Sequence, residues 1–179
     1  MSLRRVYVSL LAVAMVVGPA WWLLLTEDGR RRTDAVMLRL WGRPEVALDL
    51  TRLAPYGEAE LLALYNHVQW TCATRAGPFG QRRCVAQIGV FNGIPAHSLA
   101  FYFRDGRLSA LKLVYRRRYH DALLRQLHRA LGEPSREAGV LRWSTGHGLL
   151  VVKARVAPSD EVALIWIVPA LRTIPATEG

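Results

Sequence analysis

The chain has few of the residues from which catalytic and metal sites are built. Among 179 residues there are two cysteines, five histidines and 14 acidic residues. No two histidines stand four residues apart, no cysteine or carboxylate cluster has metal-ligand spacing, and H-E-x-x-H is absent. A G-x-S-x-G nucleophile turn and a glycine-rich phosphate loop are missing as well. We therefore expect no enzyme activity, no catalytic residue, no cofactor and no metal.

Lysine is almost missing, whereas arginine is abundant. The 24 basic residues include only two lysines, Lys112 and Lys153, and the formal net charge is +10. Arginine suits planar, bidentate contact with carboxylates and phosphates, so the composition fits an anionic partner. A codon bias that favours arginine explains most of its preference over lysine. The excess of positive charge needs a separate, physical explanation.

Long runs of apolar residues are rare, with one exception at the N-terminus. Residues 6–25 contain no charged side chain, and two arginines precede them. A helix of this length spans about 30 Å, the thickness of the hydrocarbon core of a bilayer. Near its end, Trp21 and Trp22 have amphipathic rings that favour the headgroup region. The sequence therefore predicts a transmembrane anchor over 1–26, with both tryptophans at the membrane interface.

Two alternatives to an anchor fit the same residues. The first is a cleaved signal peptide, because Gly18-Pro19-Ala20 supplies small residues at a cleavage site. Apolar sequence continues to Leu25, however, so cleavage there would leave an exposed apolar end. The second alternative is a buried helix of a soluble domain. Burial of twenty side chains in lipid favours a retained anchor.

The only two cysteines, Cys72 and Cys84, bracket a segment rich in turn-forming residues. A pair that closes one short loop is typical of a structural disulfide, which persists outside the cytosol. The residues between them are too many for a C-x-x-C redox motif. Two unrelated buried thiols are the alternative. Together with the anchor, the pair predicts a single-pass protein of the inner (cytoplasmic) membrane, whose C-terminal domain lies in the periplasm or outside the cell.

After the predicted anchor, a short polar linker over 27–33 leads into one domain over 34–179, which is large enough to bury a core. Apolar residues at helical spacing predict helices at 59–68 and 121–131, and Gly132 ends the second helix. The fold class is α+β, an antiparallel sheet of about six or seven strands with helices packed on one face.

Strands are predicted where bulky residues alternate between turn signals. They lie at 85–91, 99–103, 107–115, 140–144, 149–156 and 162–168. Asp105-Gly106 predicts a type I′ turn in the hairpin over 99–115, and 72–84 is interpreted as a hairpin tip. The last strand, 162–168, is apolar on both faces, so it is either central and covered on both sides, or covered by a partner.

Two groups of arginines form the candidate site for an anionic partner. Arg82 and Arg83 lie near the predicted hairpin tip, and Arg116, Arg117 and Arg118 lie between the 99–115 hairpin and the next helix. Neighbouring tyrosines add rings on which sugars or bases stack. A solvated connection between elements is the alternative. The chain follows no nucleic-acid-binding fold signature, so we do not expect a nucleic-acid partner.

The function that fits these features is an accessory or assembly subunit of a bacterial-type envelope complex. It would be anchored in membrane lipid and bind another protein of the complex through its extracytoplasmic domain. The alternative is a basic module that binds an anionic polymer or lipid head groups at the membrane surface. Raised salt separates the two, because a counterion-driven contact weakens steeply and an apolar interface persists.

Overall fold

The computed structural model describes residues 3–169. The N-terminal apolar segment forms helix α1 (Leu3–Leu25), and its described side chains are exposed. Thr26 then caps a second helix, α2 (Glu27–Leu40), because its hydroxyl accepts a hydrogen bond of 3.0 Å from the amide of Gly29. Two acidic residues in the first turn of α2 complement the helix dipole.

The predicted transmembrane anchor is wrong. Among the described residues, no helix has both the length and the apolarity that a bilayer crossing requires. Residues of the segment are helical, as predicted, but two arginines lie in the first turn of α1, and Gly18 and Pro19 interrupt its apolar sequence near the other end. The residues predicted to form a linker, 27–33, belong to α2.

Ten strands form one sheet, in which strand pairing is antiparallel except for one short parallel pair among the described residues. The strands are β1 (Glu45–Val46), β2 (Thr71–Gly77), β3 (Gly80–Gln87), β4 (Val90–Phe91), β5 (Ile94–Arg104), β6 (Arg107–Tyr115), β7 (Ser135–Glu137), β8 (Val140–Thr145), β9 (Gly148–Lys153) and β10 (Ala163–Ile167). Their order is β1-β4-β5-β6-β10-β9-β8-β7, and β3 pairs with both β5 and β2. The fold is therefore mixed α/β, and the predicted six or seven strands are too few.

The missed strands explain the low strand count. Two of them, β1 and β4, are only two residues long and pair in parallel with each other, so they carry no alternation. The segment 72–84, interpreted as a hairpin tip, is largely the paired strands β2 and β3, with the turn at 78–79. The side chains of β2 are small or polar and mostly exposed, which hides its periodicity.

The strongest local signals are confirmed. Asp105 and Gly106 have φ values of 51° and 72°, as a type I′ turn requires, and they join β5 to β6. The predicted helix at 121–131 is α4 (His120–Leu131), and Gly132 ends it with φ 79°. A shorter helix, α3 (Glu58–Leu64), replaces the predicted helix at 59–68, because the chain turns away after Leu64.

Alternation along the strands gives the sheet two faces. The inner face packs against α3 and α4 in one buried cluster, to which these helices contribute Leu61, Leu123 and Leu127. The strands contribute Cys84, Ala86, Leu99, Phe101, Leu111, Leu113, Leu141, Trp143, Leu150, Val152, Leu164 and Trp166. This continuous row of apolar side chains forms the core. The side chains that alternate with them along the strands lie on the opposite face of the sheet.

Candidate binding surfaces

The side chains that point away from the core define the outer face of the sheet. Across the central strands, Lys112, Ile165 and Val151 lie side by side, and the next row contains Ile167 and Leu149. We define the outer face by Val85, Ala100, Tyr102, Ala110, Lys112, Val114, Leu149, Val151, Ala163, Ile165 and Ile167. Nine of its eleven members are apolar side chains without a hydroxyl or a charge.

The outer face is open. Its two small central residues, Ala100 and Ala110, are buried, but every larger side chain on it is only half-buried. Neither of the two buried clusters among residues 3–169 includes an outer-face side chain. The helices that close the core, α3 and α4, therefore leave this face accessible, and the face is apolar in its centre.

Charged side chains lie around the outer face, and one of them, Lys112, lies within it. Lys112 pairs with Glu161 at 2.5 Å, and Lys153 pairs with Asp160 at 3.0 Å. The hydrogen bond from Lys153 holds the pKa of the Asp160 carboxyl below its usual range. The guanidinium of Arg83, on β3, lies 5.8 Å from the ring centre of Tyr102, on the neighbouring strand β5. The face thus has an apolar centre with a polar edge.

The predicted arginine triplet is tied to other parts of the chain. Arg118 forms an ion pair with Asp34 of α2, and Arg116 lies 3.9 Å from the same carboxylate. The hydroxyl of Tyr119 donates to Asp34 as well, at 2.5 Å. Arg117 donates to the backbone carbonyl of Asp160 at 3.1 Å. Each of the three arginines therefore has a partner within the chain, and together they fasten α2 and the 157–160 turn to the end of β6.

The structure does not bring the two predicted arginine groups together. Arg82 and Arg83 pair with Phe103 and Tyr102 on β5, whereas Arg116 follows the residue that pairs with Ala96. Six residues of β5 separate these positions, which is about 20 Å at the rise of a strand. Arg82 also pairs with Glu58, at 2.5 Å. These five arginines therefore do not form one patch.

Cys72 and Cys84 lie directly opposite each other on β2 and β3, and their sulfur atoms are 1.98 Å apart. The pair is therefore at disulfide distance, as the sequence predicts. The carboxylate of Glu58 lies within 4.8 Å of both sulfurs, a grouping that no sequence spacing reveals. Because the sulfurs contact each other and Glu58 pairs with Arg82, these atoms are already engaged.

The predicted interface tryptophans are both exposed. Trp21 has 65% of its surface accessible and Trp22 has 43%. The guanidinium of Arg32 lies 5.6 Å from the ring centre of Trp22, which joins α1 to α2 through a cation–π contact.

A buried tyrosine–histidine pair has the residue types of an acid–base site but not the access. The hydroxyl of Tyr115 and Nδ1 of His120 are 2.8 Å apart, and the two rings stack within 4° of parallel. Burial raises the pKa of Tyr115 well above its usual range. Tyr115 is in the buried core and His120 is the buried first residue of α4, so the pair joins β6 to the start of that helix.

Sequence reasoning did not predict a polar surface cavity that is largely open to solvent. It lies between α2 and α4, has a volume of about 400 Å³, and is lined by Arg31, Asn92, Gln126, Arg129 and Ala130. These residues come from three segments that are far apart in the chain, so no local sequence motif predicts the cavity.

No protein-family model, no curated protein and no solved structure matches the chain.

Proposed function

We propose that the chain is a non-catalytic interaction subunit, which binds an acidic partner protein through the outer face of its sheet. The observation that carries the proposal is the row of half-buried apolar side chains on β6, β10 and β9. A contiguous exposed apolar patch on a folded protein commonly marks an interaction site.

The extent of the outer face supports a protein partner. It crosses five neighbouring strands, β3-β5-β6-β10-β9. At about 4.8 Å between strands this is about 19 Å wide, and three rows along the strands add about 14 Å. The area is on the order of 300 Å², which suits the apolar centre of an interface whose polar rim extends further.

The edges of the sheet support contact through the face rather than through an added strand. One edge, β7, is three residues long, and another, β1, is two residues long. The third edge, β2, is interrupted by a register shift between Thr74 and Gly77 and carries an exposed arginine, Arg75. Short, bulged and charged edges are the features that prevent strand addition.

Charge supports an acidic partner. The chain carries a net charge of +10, and the guanidinium of Arg83 lies beside the outer face, against the ring of Tyr102. An apolar surface with an acidic rim would match both the centre and the edge of this face, and opposite charges would speed the encounter. The alternative, an anionic polymer or lipid head groups on the predicted arginines, has less support because four of those five arginines already form ion pairs or hydrogen bonds within the chain.

The cysteine pair bears on the compartment. We propose that Cys72 and Cys84 form a disulfide and that the subunit works outside the cytosol, where such a bond persists. Labelling of the unreduced protein with a thiol reagent tests this: no label should enter before reduction, and two labels should enter after it.

The function is tested by comparing three tagged chains: wild type, Ile165→Glu on the outer face, and Leu64→Glu as a matched control. Leu64 is an exposed apolar residue of α3, 63% accessible, on the other side of the sheet. Capture from the native cells at high salt should retain one acidic protein on wild type and on Leu64→Glu, and lose it on Ile165→Glu. Equal capture by all three chains, or capture of no protein, would contradict the proposal.

A further inference from the structure

A polar groove lies beside the outer face of the sheet, where β3 ends. Two adjoining cavities form it, with volumes of about 480 Å³ and about 210 Å³, and both are lined by Arg43 and Gln87. We call it the basic groove, and its polar lining includes Arg43, His67, Gln69, Gln87, His97 and Arg116. Val85 of the outer face also lines the larger cavity, so the basic groove is continuous with the proposed interface.

Three segments of the chain converge on the smaller cavity. A Cβ atom at Gly89 would lie 2.6 Å from Cβ of Arg43, so glycine at this position lets Arg43 pack directly against the chain after β3. The carbonyl of His97 accepts a hydrogen bond of 3.1 Å from the amide of Ile88, which precedes this glycine. The amide of Arg116 donates at 3.2 Å to the carbonyl two residues before His97. Backbone contacts therefore hold the three basic side chains around one cavity.

The two guanidinium groups act on the imidazole of His97. Besides partial burial, the positive charges of Arg116 and Arg43 lower the pKa of His97. Interactions between exposed charges fade over about 10 Å at ordinary salt, so both arginines lie near this ring. His97 is thus mostly neutral at pH 7, and the positive charge of the cavity comes from the two guanidinium groups.

Neighbouring carboxylates do not cancel this charge. Among the described residues that line the two cavities, none is acidic. Asp34 lies 3.9 Å from Arg116 but already forms an ion pair with a second arginine, and Glu45 is paired with Arg39. Within residues 3–169, no ion pair involves Arg43. An anion that enters the groove therefore meets a guanidinium group with no carboxylate to displace.

We propose that the basic groove binds the carboxylates of an acidic peptide segment. The inference rests on the proposed function, because the partner protein supplies this segment. Arg43 pairs with one carboxylate where the two cavities meet, since its planar guanidinium matches two carboxylate oxygens. The side-chain amides of Gln69 and Gln87 donate to peptide carbonyls in the larger cavity. A peptide is favoured over a phosphate because the groove continues into an apolar face, which a protein segment covers at the same time.

Calorimetric titration of the full chain with acetylated pentaglutamate at low salt tests the groove. Wild type should bind the peptide saturably and should not bind pentaglutamine. Arg43→Gln should lose at least about tenfold in affinity. The matched control Arg136→Gln removes the same charge from an exposed arginine of β7 and should stay within about twofold of wild type. Equal weakening in the two variants would assign the binding to net charge and overturn the proposal, as would the absence of saturable binding.

A second variant adds charge instead of removing it. Gln87→Glu places a carboxylate where the two cavities meet and should abolish peptide binding, whereas Ser144→Glu adds the same charge at an exposed position of β8 and should not. Circular dichroism should show the same fold in every variant. Undiminished binding to Gln87→Glu would place the peptide outside the groove and overturn the proposal.

Nuclear magnetic resonance locates the bound peptide. A carboxylate beside His97 favours the protonated ring, so pentaglutamate should raise the pKa of His97 from its lowered value. The ring resonances of His147, which is exposed in the turn between β8 and β9, should not move. Saturable binding that leaves the titration of His97 unchanged would overturn the assignment to this groove.

Tripolyphosphate separates a peptide site from a phosphate site. If it binds more tightly than pentaglutamate and this binding is lost in Arg43→Gln, the groove is a phosphate site and the peptide assignment is overturned. The capture experiment fails separately. Capture at low salt that is lost on Ile165→Glu but undiminished on Arg43→Gln would overturn the groove and leave the outer face as the interface. Capture that Ile165→Glu does not reduce would contradict the proposed function, and the peptide titration would still decide whether the groove binds carboxylates.

Discussion

The two faces of the sheet are both apolar, yet only one is closed. In β10 the alternation is complete: Leu164 and Trp166 are fully buried on the inner face, whereas Ile165 and Ile167 are half-buried on the outer face. Burial of apolar surface stabilises the fold in proportion to the area removed from water. The inner face therefore holds the structure together, and the outer face, whose apolar side chains contribute less to stability, is the one available for a partner.

The largest loss of stability should follow from removing the side chain of Trp166 from the inner face. Its ring is fully buried, and its indole nitrogen donates to the hydroxyl of Thr145 at 3.0 Å. Trp166→Ala should lower the free energy of unfolding by about 3–5 kcal/mol, because it leaves a cavity and removes the hydrogen bond from the indole to Thr145. Urea unfolding followed by circular dichroism measures the loss.

The matched change on the other face of the same strand is Ile167→Ala. A half-buried side chain loses less apolar contact, so the expected cost is about 1 kcal/mol. A cost similar to that of Trp166→Ala would show that the outer face is closed in solution, and would remove the contrast between the two faces.

The second prediction concerns the edge of the inner face, where Cys84 is fully buried opposite Cys72. Cys72→Ala/Cys84→Ala should lower the free energy of unfolding by about 3 kcal/mol, because the cross-link no longer restricts the unfolded chain. Thermal unfolding of the variant, compared with wild type before and after reduction, measures the effect. Reduced wild type should match the variant, and an unchanged melting temperature on reduction would show that no bond forms.

On the outer face, a polar substitution should separate stability from binding. Ile165→Ser should lower the free energy of unfolding by about 1 kcal/mol, since only part of the side chain leaves an apolar environment. Association with the partner protein should fall by at least about tenfold, because the residue lies in the centre of the proposed interface. Urea unfolding and a direct binding assay provide the two numbers, and a stability loss as large as that of Trp166→Ala would place Ile165 in the core.

Local signals in the sequence were sufficient for some elements. Asp105-Gly106 needs positive φ at two successive residues, and Gly132 needs it once, so the residue types alone indicate the turn and the helix end. The apolar stretch 162–168 was also informative, because it predicts a strand with two apolar faces. The structure places this strand, β10, in the centre of the sheet between β6 and β9.

Other features depend on contacts between distant residues, which no local pattern contains. The short strands β1 and β4 exist because they pair with each other across more than forty residues. Asp34 and Arg118 likewise meet only in the folded chain. The sequence alone therefore predicts that the arginine triplet is available to an anionic partner. The cavity between α2 and α4 is a further example, since the residues that line it lie near positions 31, 92 and 126–130 of the chain.

The smallest expected effect is a pH dependence from His97, which lies at the register shift of β5 between Ala96 and Ser98. Partial burial lowers the pKa of His97, and the positive charges of Arg116 and Arg43 lower it further. The pKa in the folded chain is therefore below the unfolded value of about 6.5. A lowered histidine pKa means that its contribution to stability is fully present above the unfolded pKa. That contribution is lost as the pH falls through the folded value, because protonation then favours the unfolded chain.

The His97 contribution is best measured by titrating its ring protons by nuclear magnetic resonance in wild type and in Arg116→Gln. Removal of one nearby positive charge should raise the pKa of His97 toward 6.5, and burial should keep it from reaching that value. The control is Arg136→Gln, an exposed arginine of β7, which should leave the titration unchanged. A wild-type pKa above 6.5 would require an acidic neighbour beside His97 and would contradict the arrangement of Arg43 and Arg116 around it.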